Sequence, residues 1–275
     1  MLAISVIIPT FNRVHCLSRA IDSVLKQTVQ PQSIIVVDDG SDDGSEQLVS
    51  QAYPQVTYKR INNSGVSAAR NVGIQQVSTD WIALLDSDDE WLPNKLERQI
   101  SLLGESPDCK LCHTEEIWVR NGKRVNQMNK HQKSGGWIFE KCLPLCAISP
   151  SSVLLHKSLF EEVGLFREDL PACEDYDLWL KICSKYPVLF LDEPAIIKYG
   201  GHDDQLSKKY WGMDRFRIKA LSEFIQEKTL SPEQEKQALA MLKNKIAIYV
   251  KGAAKRGKTE DVAYYNALLE QFGLT

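Results

Sequence analysis

The chain has 275 residues, of which 43% are hydrophobic and 25% charged, and its formal net charge is -3. This is an ordinary globular composition, and a chain of this length can build a sizeable core without disulfide or metal support. The slightly acidic balance argues against a nucleic-acid partner, although the segment after Gln205 is basic, with 13 Lys and Arg against 8 Asp and Glu.

The N-terminal sequence and the cysteines bear on the compartment. The apolar run at the N-terminus is short and has no basic residues before it, and no stretch reaches the roughly 18 apolar residues of a spanning helix. Seven cysteines are scattered without a framework, so we expect a cytoplasmic protein with reduced thiols. The segment Cys109–His113 (CKLCH) matches a haem-attachment pattern, but that chemistry needs export, so a strand with buried cysteines is favoured.

The first hundred residues alternate between two patterns. The apolar runs AISVIIP, SIIVVDD, QVTYKRI and DWIALLD predict strands, and helical spacing predicts helices in VHCLSRAIDSVLKQT, DDGSEQLVSQAY and SGVSAARNVGIQQV. This alternation indicates βαβ units and a parallel sheet, in which ligands bind beyond the carboxyl ends of the strands. We therefore expect the polar stretches PTFNR, DDGSDDGS and DSDDEW to converge in one crevice.

The remainder of the chain is less regular. LPNKLERQISLL and ACEDYDLWLKICSKY predict helices, KLCHTEEIWVRNGKRVNQ predicts a hairpin with an Asn-Gly turn, and SSVLLHK, VLFLD and AIIKY predict short strands. From about Leu206 onward the pattern is helical, and the expected helices are 211–228, 232–256 and 259–272. The sequence thus predicts an α/β body followed by a C-terminal helical segment.

The densest group of carboxylates follows the fourth predicted strand. Asp86 and Asp88 are separated by the small residue Ser87, which lets both carboxylates turn toward one point. Mg²⁺ and Mn²⁺ are typically held by one or two carboxylates together with substrate phosphates, so a metal-diphosphate site is one interpretation. A solvated acidic turn is the other. Asp89 and Glu90 are assigned to the turn and to the following helix.

Two further stretches at the same edge of the sheet carry polar side chains. Asp38 and Asp39 end the second strand, where an ionised carboxylate either accepts hydrogen bonds from a base or ribose or simply belongs to a turn. Gly40 and Gly44 allow that turn to be tight. Arg70, in the third predicted helix, suits either a phosphate or a salt bridge to a nearby Asp.

The later motif CEDYDLW offers candidates for proton transfer. Glu174, Asp175 and Asp177 begin a predicted helix, where the dipole favours negative charge, and one of them is a candidate general base. His202 is either incidental or a nitrogen ligand to the same metal. The sequence contains neither G-x-G-x-x-G after the first strand nor a P-loop, which disfavours dinucleotide dehydrogenases and P-loop enzymes.

Taken together, the motifs resemble a family 2 glycosyltransferase of the GT-A fold. The matching stretches are SVIIPTFNR, VVDDGSDDGS, NSGVSAARNVGI, DSDDEW, EDYDLW and GGHDDQLS, in the family's order, over residues 3 to about 207. The resemblance implies a Rossmann-like, mostly parallel central sheet flanked by helices, with a C-terminal helical extension. The implied organisation is a GT-A domain over 1–206, with a nucleotide-sugar half (1–105) and an acceptor and catalytic half (106–206), and a helical segment over 207–275.

The resemblance also implies roles for individual residues. Phe11 would face the base, Asp39 would bind the uracil edge, and Asp175 would be the catalytic base. The complete nucleotide-binding set would be Pro9, Thr10, Phe11, Arg13, Asp39, Arg70 and Asp86. The metal, Mn²⁺ or Mg²⁺, would be held by Asp86, Asp88 and His202, and the acceptor region would include Glu174 and Trp179.

The function that the resemblance implies is inverting transfer of a sugar from a nucleotide sugar, with UDP favoured, to a saccharide or lipid-linked acceptor in cell-surface polysaccharide or glycolipid synthesis. The alternatives are a nucleotidyltransferase-like enzyme and a non-catalytic nucleotide- or sugar-binding module. The basic segment Lys243–Lys258 is either a packed helix with a solvated face or a contact with the inner face of the membrane.

Overall fold

A mixed β-sheet forms the centre of the protein in the computed structural model, which describes residues 2–201 and 210–274. The strands are β1 (Ile4–Thr10), β2 (Ser33–Asp38), β3 (Thr57–Arg60), β4 (Trp81–Leu84), β5 (Glu90–Trp91), β6 (Leu111–Arg120), β7 (Lys123–Val125), β8 (Leu154–His156) and β9 (Leu189–Gly200). Within the described residues they form one sheet in the order β3-β2-β1-β4-β8-β6-β9-β5, with β7 paired to β6.

Helices cover both faces of this sheet. They are α1 (Val14–Leu25), α2 (Ser45–Ala52), α3 (Val66–Gln76), α4 (Lys95–Gly104), α5 (Phe139–Cys142), α6 (Ser158–Val163), α7 (Glu174–Lys185), α8 (Asp214–Gln226), α9 (Pro232–Ala254) and α10 (Thr259–Gln271). Single 3₁₀ turns occur at Asn129–His131 and Pro150–Ser152. None of the described helices is both long enough and apolar enough to cross a bilayer.

The first half of the sheet confirms the predicted βαβ pattern. Strands β3, β2, β1 and β4 are all parallel. Side chains of a strand alternate between its two faces. In β1, accordingly, Ile7 enters a core shared with α3 and α7, whereas Val6 and Ile8 enter a second core shared with α1 and α4. Burial on both faces explains why these strands are continuously apolar.

The second half of the sheet mixes directions, and one prediction there was wrong. VLFLD and AIIKY were expected as two short strands, but they form the single strand β9, which runs parallel to β6 along its whole length. The register shifts opposite Glu115, beside Pro194 of β9. Proline lacks an N–H and is tolerated in a sheet at such irregularities, so the break in pattern is a bulge and not a strand end.

The C-terminal helices pack on the body of the protein. Apolar residues of α8 and α9, among them Leu221, Phe224 and Ile246, belong to the same core as Trp179 of α7. Helix α9 begins with a capping box between Ser231 and the side chain of Gln234. The three predicted helices are confirmed, with ends within three residues of those expected. The domain boundary near residue 206 stays a prediction.

The segment that matched the haem pattern is part of the core. Cys112 and His113 lie in β6 and are fully buried, as expected for an internal strand. His113 Nε2 lies 3.0 Å from the carbonyl oxygen of Ser134. Burial, and next the charge of Lys133, lower the pKa of His113 to about 3. The imidazole is therefore neutral at physiological pH.

Candidate active site

The loops that follow β1 and β2 are joined by hydrogen bonds, as predicted. The Asp39 amide donates to the Thr10 carbonyl oxygen at 2.9 Å, and the Asn12 amide donates to Ser41 Oγ at 2.8 Å. Asn12 has a φ of 52°, the left-handed conformation that Asn tolerates better than most residues. The stretches PTFNR and DDGSDDGS thus form one wall of the crevice.

The hydrogen bonds of Asp38 all stabilise the turn after β2 and the neighbouring strand. It is fully buried, and its Oδ1 accepts hydrogen bonds from the Ser41 amide at 2.8 Å and from Ser41 Oγ at 2.5 Å. Its Oδ2 accepts a hydrogen bond from the Tyr58 hydroxyl. Gly40 has a φ of 86°, and a Cβ there would lie 3.1 Å from the backbone nitrogen of Asn63. The turn therefore requires glycine and the carboxylate of Asp38.

Asp39, by contrast, faces the start of α3. Its Oδ1 accepts from the Ser64 amide at 2.7 Å and its Oδ2 from the Gly65 amide at 2.8 Å. A side chain from the neighbouring loop thus satisfies amides at the helix start that a capping residue would otherwise bind. Each carboxylate oxygen has a second lone pair, so this geometry leaves Asp39 able to accept from a ligand.

The residues at the end of β1 differ in exposure. Pro9 and Thr10 are buried, whereas the ring of Phe11 is 45% exposed. Within the described part of the chain, Thr10 Oγ1 is buried and has no hydrogen-bond partner. An exposed aromatic ring and an unsatisfied hydroxyl at one strand end are features of a ligand-facing surface.

Asp86 and Asp88 are close enough to repel each other. Burial, and next the charge of Asp86, raise the pKa of Asp88, while Arg13 and Lys198 oppose that shift. The Asp88 carbonyl oxygen also accepts a hydrogen bond from Arg19 Nη2 at 2.6 Å, which fixes the loop. A divalent cation would relieve this crowding, and two carboxylates completed by substrate phosphates suit Mg²⁺ or Mn²⁺.

This donor set is incomplete without substrate. Over residues 2–201 and 210–274, no group of three or more His, Cys, Asp or Glu side chains is arranged to hold a metal ion. The predicted third ligand, His202, lies outside the described residues. The residues present thus fit a metal that is held jointly with a diphosphate.

For the last two acidic residues of this loop, the predicted turn is present, since the Asp89 amide donates to the Asp86 carbonyl oxygen at 3.0 Å, but the predicted role in the following helix was wrong. Asp89 does not serve the following helix, because it is buried and its carboxylate accepts from Ser151 Oγ at 2.6 Å and from the Tyr199 amide at 3.3 Å. Glu90 lies in β5 and accepts from the Tyr199 hydroxyl at 2.7 Å. Both residues attach the acidic loop to β9, because strand β9 passes directly beside it.

Arg70 links the two acidic motifs. Its Nη2 lies 2.7 Å from Asp86 Oδ1 and its Nη1 lies 2.6 Å from Glu174 Oε1. Burial opposes the charge, but Asp86 and Glu174 together raise the pKa of Arg70 above its ordinary value. Of the two sequence-based alternatives, the salt bridge is therefore present, and the predicted contact with a nucleotide stays a prediction.

Asp175 begins α7 beside this link and is partly exposed. Its Oδ1 accepts from the Tyr176 amide at 2.7 Å, and its Oδ2 lies 3.0 Å from the thiol sulfur of Cys146. Burial, and next the charge of Asp175, raise the pKa of Cys146 well above its usual value. The thiol therefore stays protonated and can donate a hydrogen bond to the carboxylate, with the Ile148 carbonyl oxygen at 3.1 Å as the other acceptor in range.

The two residues assigned to the acceptor region, Glu174 and Trp179, have buried side chains. Trp179 is fully buried, 0% exposed, and packs edge-on against Phe166. Glu174 is buried and directs its carboxylate at Arg70. Both side chains are enclosed by the body of the protein, whereas Asp175 is partly exposed, and their assignment to the acceptor region stays a prediction.

The sequence analysis missed Lys198, which lies in β9 near the acidic loop. Its Nζ is 3.1 Å from Ser149 Oγ, and Glu116, Asp89 and Asp86 all raise its pKa. The available signal was a single charge in the apolar run AIIKY. A lysine inside a buried strand needs anionic neighbours, but the sequence alone does not identify them.

A mostly parallel sheet with carboxylates beyond its strand ends, and a further carboxylate at a helix start, fits the GT-A arrangement expected from the sequence. The family model described as Glycosyl transferase family 2 matches residues 5–164. The chain belongs to this family.

Characterised and uncharacterised relatives agree with this placement. WfgD of Escherichia coli, named as a UDP-Glc:alpha-D-GlcNAc-diphosphoundecaprenol beta-1,3-glucosyltransferase, is 34% identical over 200 residues, which are 66% of this chain and 76% of that protein. An uncharacterized glycosyltransferase of Rickettsia felis is 34% identical over 213 residues, or 75% of this chain, and the chain spans only 35% of that protein's length.

The fold has solved counterparts. The structure of S. aureus TarS 1-349 in complex with UDP-GlcNAc matches with a TM-score of 0.68 and 18% sequence identity, over 98% of this chain and 91% of that chain. The structure of S. aureus TarS matches with a TM-score of 0.67 and 19% identity, over 89% of this chain and 43% of that chain. These matches confirm the predicted GT-A fold with its C-terminal helices.

Proposed function

We propose that the protein transfers a sugar from a UDP-sugar to an acceptor hydroxyl with inversion at the anomeric carbon. The observation that carries the proposal is the chain of contacts from Asp86 through Arg70 to Glu174, since it joins the acidic loop to the start of α7, where Asp175 lies. Support comes from two similar proteins, because WfgD is named for UDP-Glc and TarS 1-349 was crystallised in complex with UDP-GlcNAc.

The donor would occupy the wall built from β1, β2 and α3. In the proposal Phe11 stacks on the base, Asp39 accepts hydrogen bonds from it, and Arg13 lies toward the diphosphate. Pro9 and Thr10, at the end of β1, complete this wall. Asp86 and Asp88, with His202, would hold Mg²⁺ or Mn²⁺, which when bound supplies positive charge to the diphosphate oxygens.

Asp175 is the proposed general base. It would accept the proton of the acceptor hydroxyl while that oxygen attacks the anomeric carbon from the face opposite the diphosphate. The bond between the anomeric carbon and the diphosphate oxygen breaks, its electron pair leaves with UDP, and a single displacement inverts the configuration. The Tyr176 amide and the Cys146 thiol hold the two carboxylate oxygens of Asp175 in place for this step.

The acceptor is proposed to be a saccharide or a lipid-linked saccharide of a cell-surface polymer, because the name of WfgD includes a diphosphoundecaprenol acceptor. Contact with the inner face of a membrane belongs to the same proposal. It is supported by the exposed residues Lys243, Lys251 and Lys255, in and just after α9, which flank Ile248 with its side chain 58% exposed. Co-sedimentation with anionic vesicles, compared between the wild type and a triple Lys→Glu variant, tests this part.

Measuring UDP release from a panel of UDP-sugars, with saccharide acceptors and with or without Mn²⁺, tests the proposal. A glycosyltransferase releases UDP only as the sugar is transferred or hydrolysed. A nucleotidyltransferase would instead release pyrophosphate from a nucleoside triphosphate, and a binding module would bind UDP-sugar without turnover. Pyrophosphate release, or binding without any turnover across the panel, would contradict the proposal.

A further inference from the structure

Lys198 is an ammonium in β9, next to the residue that bonds the acidic loop. It is partly buried in β9, and its Nζ lies 3.1 Å from Ser149 Oγ. An ammonium carries three N–H donors, and among the described residues this is the only hydrogen bond that Nζ makes. Two donors therefore have no hydrogen-bond partner among the described residues, and a buried ammonium is unfavourable unless its charge is compensated.

The surrounding charges place Lys198 between the two acidic motifs. Burial opposes its charge, but Glu116, Asp89 and Asp86 raise the pKa of Lys198. Its charge also acts on Asp88 and on Cys146, the thiol that contacts Asp175. One cation is thus within electrostatic reach of both the metal-binding loop and the group that holds the base.

The nearby anions have other cations close to them. Glu116 Oε2 lies 3.3 Å from Lys133 Nζ, with both side chains buried, and Asp86 is bound by Arg70. Among the described residues Lys198 therefore makes no direct ion pair with either carboxylate, although burial raises the pKa of Asp89 and the charge of Lys198 opposes that shift. Its charge is available to a ligand that enters the space between Asp88 and Asp175.

Strand β9 holds Lys198 rigidly against the acidic loop. The next residue, Tyr199, donates its amide to Asp89 and its hydroxyl to Glu90, and its ring stacks under the guanidinium of Arg19 at 3.7 Å. Successive side chains of a strand point to opposite sides, so anchoring Tyr199 on one side fixes Lys198 on the other. Such prior positioning is what electrostatic stabilisation of a developing charge requires.

We propose that Lys198 is a catalytic residue that donates hydrogen bonds to the departing diphosphate of the donor. This rests on the proposed function, since it assumes a nucleotide-sugar between Asp88 and Asp175. As the bond from the anomeric carbon to the diphosphate oxygen breaks, its electron pair stays on that oxygen, and the Lys198 ammonium stabilises the charge without giving up its proton. The acceptor proton still goes to Asp175.

The direct test compares the binding of UDP and of uridine by calorimetry. Lys198→Met should weaken UDP binding about 10- to 100-fold, the usual contribution of a hydrogen bond to a charged group, and should leave uridine binding unchanged. Lys198→Arg should recover most of the loss. The matched control is Lys95→Met, since Lys95 is a fully buried lysine whose hydrogen bonds go to Gln99 and to the Val153 carbonyl oxygen, and it should affect neither ligand.

Kinetics on the full-length protein provide the second readout. Lys198→Met should lower kcat about 100- to 1,000-fold, the usual cost of removing one donor to a transition-state anion, with the KM for the acceptor nearly unchanged. A loss confined to the acceptor KM would mean that Lys198 binds a phosphate of the acceptor, and would overturn the proposal. So would equal effects on UDP and uridine binding, which indicate a structural role.

Failure of the proposed function is distinguishable from failure of this inference. If the wild type neither binds UDP nor turns over any nucleotide sugar, the proposed function is wrong. If the wild type does both and Lys198→Met matches it, only the role of Lys198 is wrong.

Discussion

Removing the link between the acidic loop and α7 should destabilise the protein strongly. Arg70 is 4% exposed and bonds Asp86 and Glu174 at 2.7 and 2.6 Å. Arg70→Met leaves Glu174, 7% exposed, as a buried charge without its partner. Breaking a buried pair in this way costs about 3–5 kcal/mol of folding free energy.

A double variant, with both Arg70 and Glu174 replaced by Met, measures the interaction energy between the two residues separately from the cost of each single substitution. Glu174→Met alone leaves Arg70 with Asp86 and should cost about 2–4 kcal/mol. When both residues are replaced by Met, no buried charge of the pair remains, so the combined cost should be about 1–3 kcal/mol smaller than the sum of the single costs. Urea denaturation gives the free energy of unfolding of each variant, provided that the slope of this free energy against urea concentration is the same for all of them.

A surface pair serves as the control for this cycle. Arg60 and Glu46 are 3.4 Å apart but 47% and 61% exposed, and exposed pairs contribute about 0–1 kcal/mol. Their coupling should therefore be much smaller than that of Arg70 and Glu174. If the costs of Arg70→Met and Glu174→Met are simply additive, the two residues are not coupled and the account of a linked cleft is refuted.

Three further predictions concern the base, the metal loop and the core. Cys146→Ser should reduce kcat several-fold, because a hydroxyl donates to Asp175 more strongly than a thiol does and makes the carboxylate a weaker base; an unchanged kcat would show that the contact does not tune the base. Asp88→Ala should weaken Mn²⁺-dependent UDP binding at least about tenfold, and an unaltered calorimetric titration would count against its role. The pKa of His113 is lowered from 6.5 to about 3 in the folded protein. Below pH 6.5 the unfolded state therefore binds more protons than the folded state, and the free energy of unfolding decreases as the pH falls through that value. The loss should reach about 2 kcal/mol by pH 5, and His113→Asn should show less acid sensitivity in urea titrations.

The first half of the fold followed from the sequence because its signals are local. Strands β1 and β2 are buried on both faces, so they are continuously apolar, and each ends in turn-forming residues. Gly40 has the positive φ that a tight turn after β2 requires. These features are set by residues within a few positions of one another, and a pattern can therefore reveal them.

The second half depends on contacts that are distant in sequence. Asp89 reaches Tyr199 across 110 positions, and Arg70 reaches Glu174 across 104. No local pattern tells a carboxylate that binds a strand from one that serves the following helix, so Asp89 was misassigned. The short helices α5 and α6 were not predicted either, because four to six residues carry too little periodicity.

The candidate site divides in the same way. The motifs indicated which side chains lie at the sheet edge, and the structure joins Asp86 through Arg70 to Glu174, the neighbour of Asp175, while Asp39 bonds the start of α3. Which candidate side chains are exposed could not be predicted. Trp179 lies on the inner side of an amphipathic helix, and the sequence alone orients such a helix only approximately.

The central claim is that Asp175 acts as the base of a sugar transfer in the cleft opposite Asp88. The most direct test measures sugar transfer and UDP affinity for Asp175→Asn, which keeps the shape of the side chain and removes its ability to accept the proton. The account predicts that transfer from the best UDP-sugar is lost, by at least about 100-fold, while UDP binds as tightly as to the wild type. Full transfer activity in Asp175→Asn would contradict it.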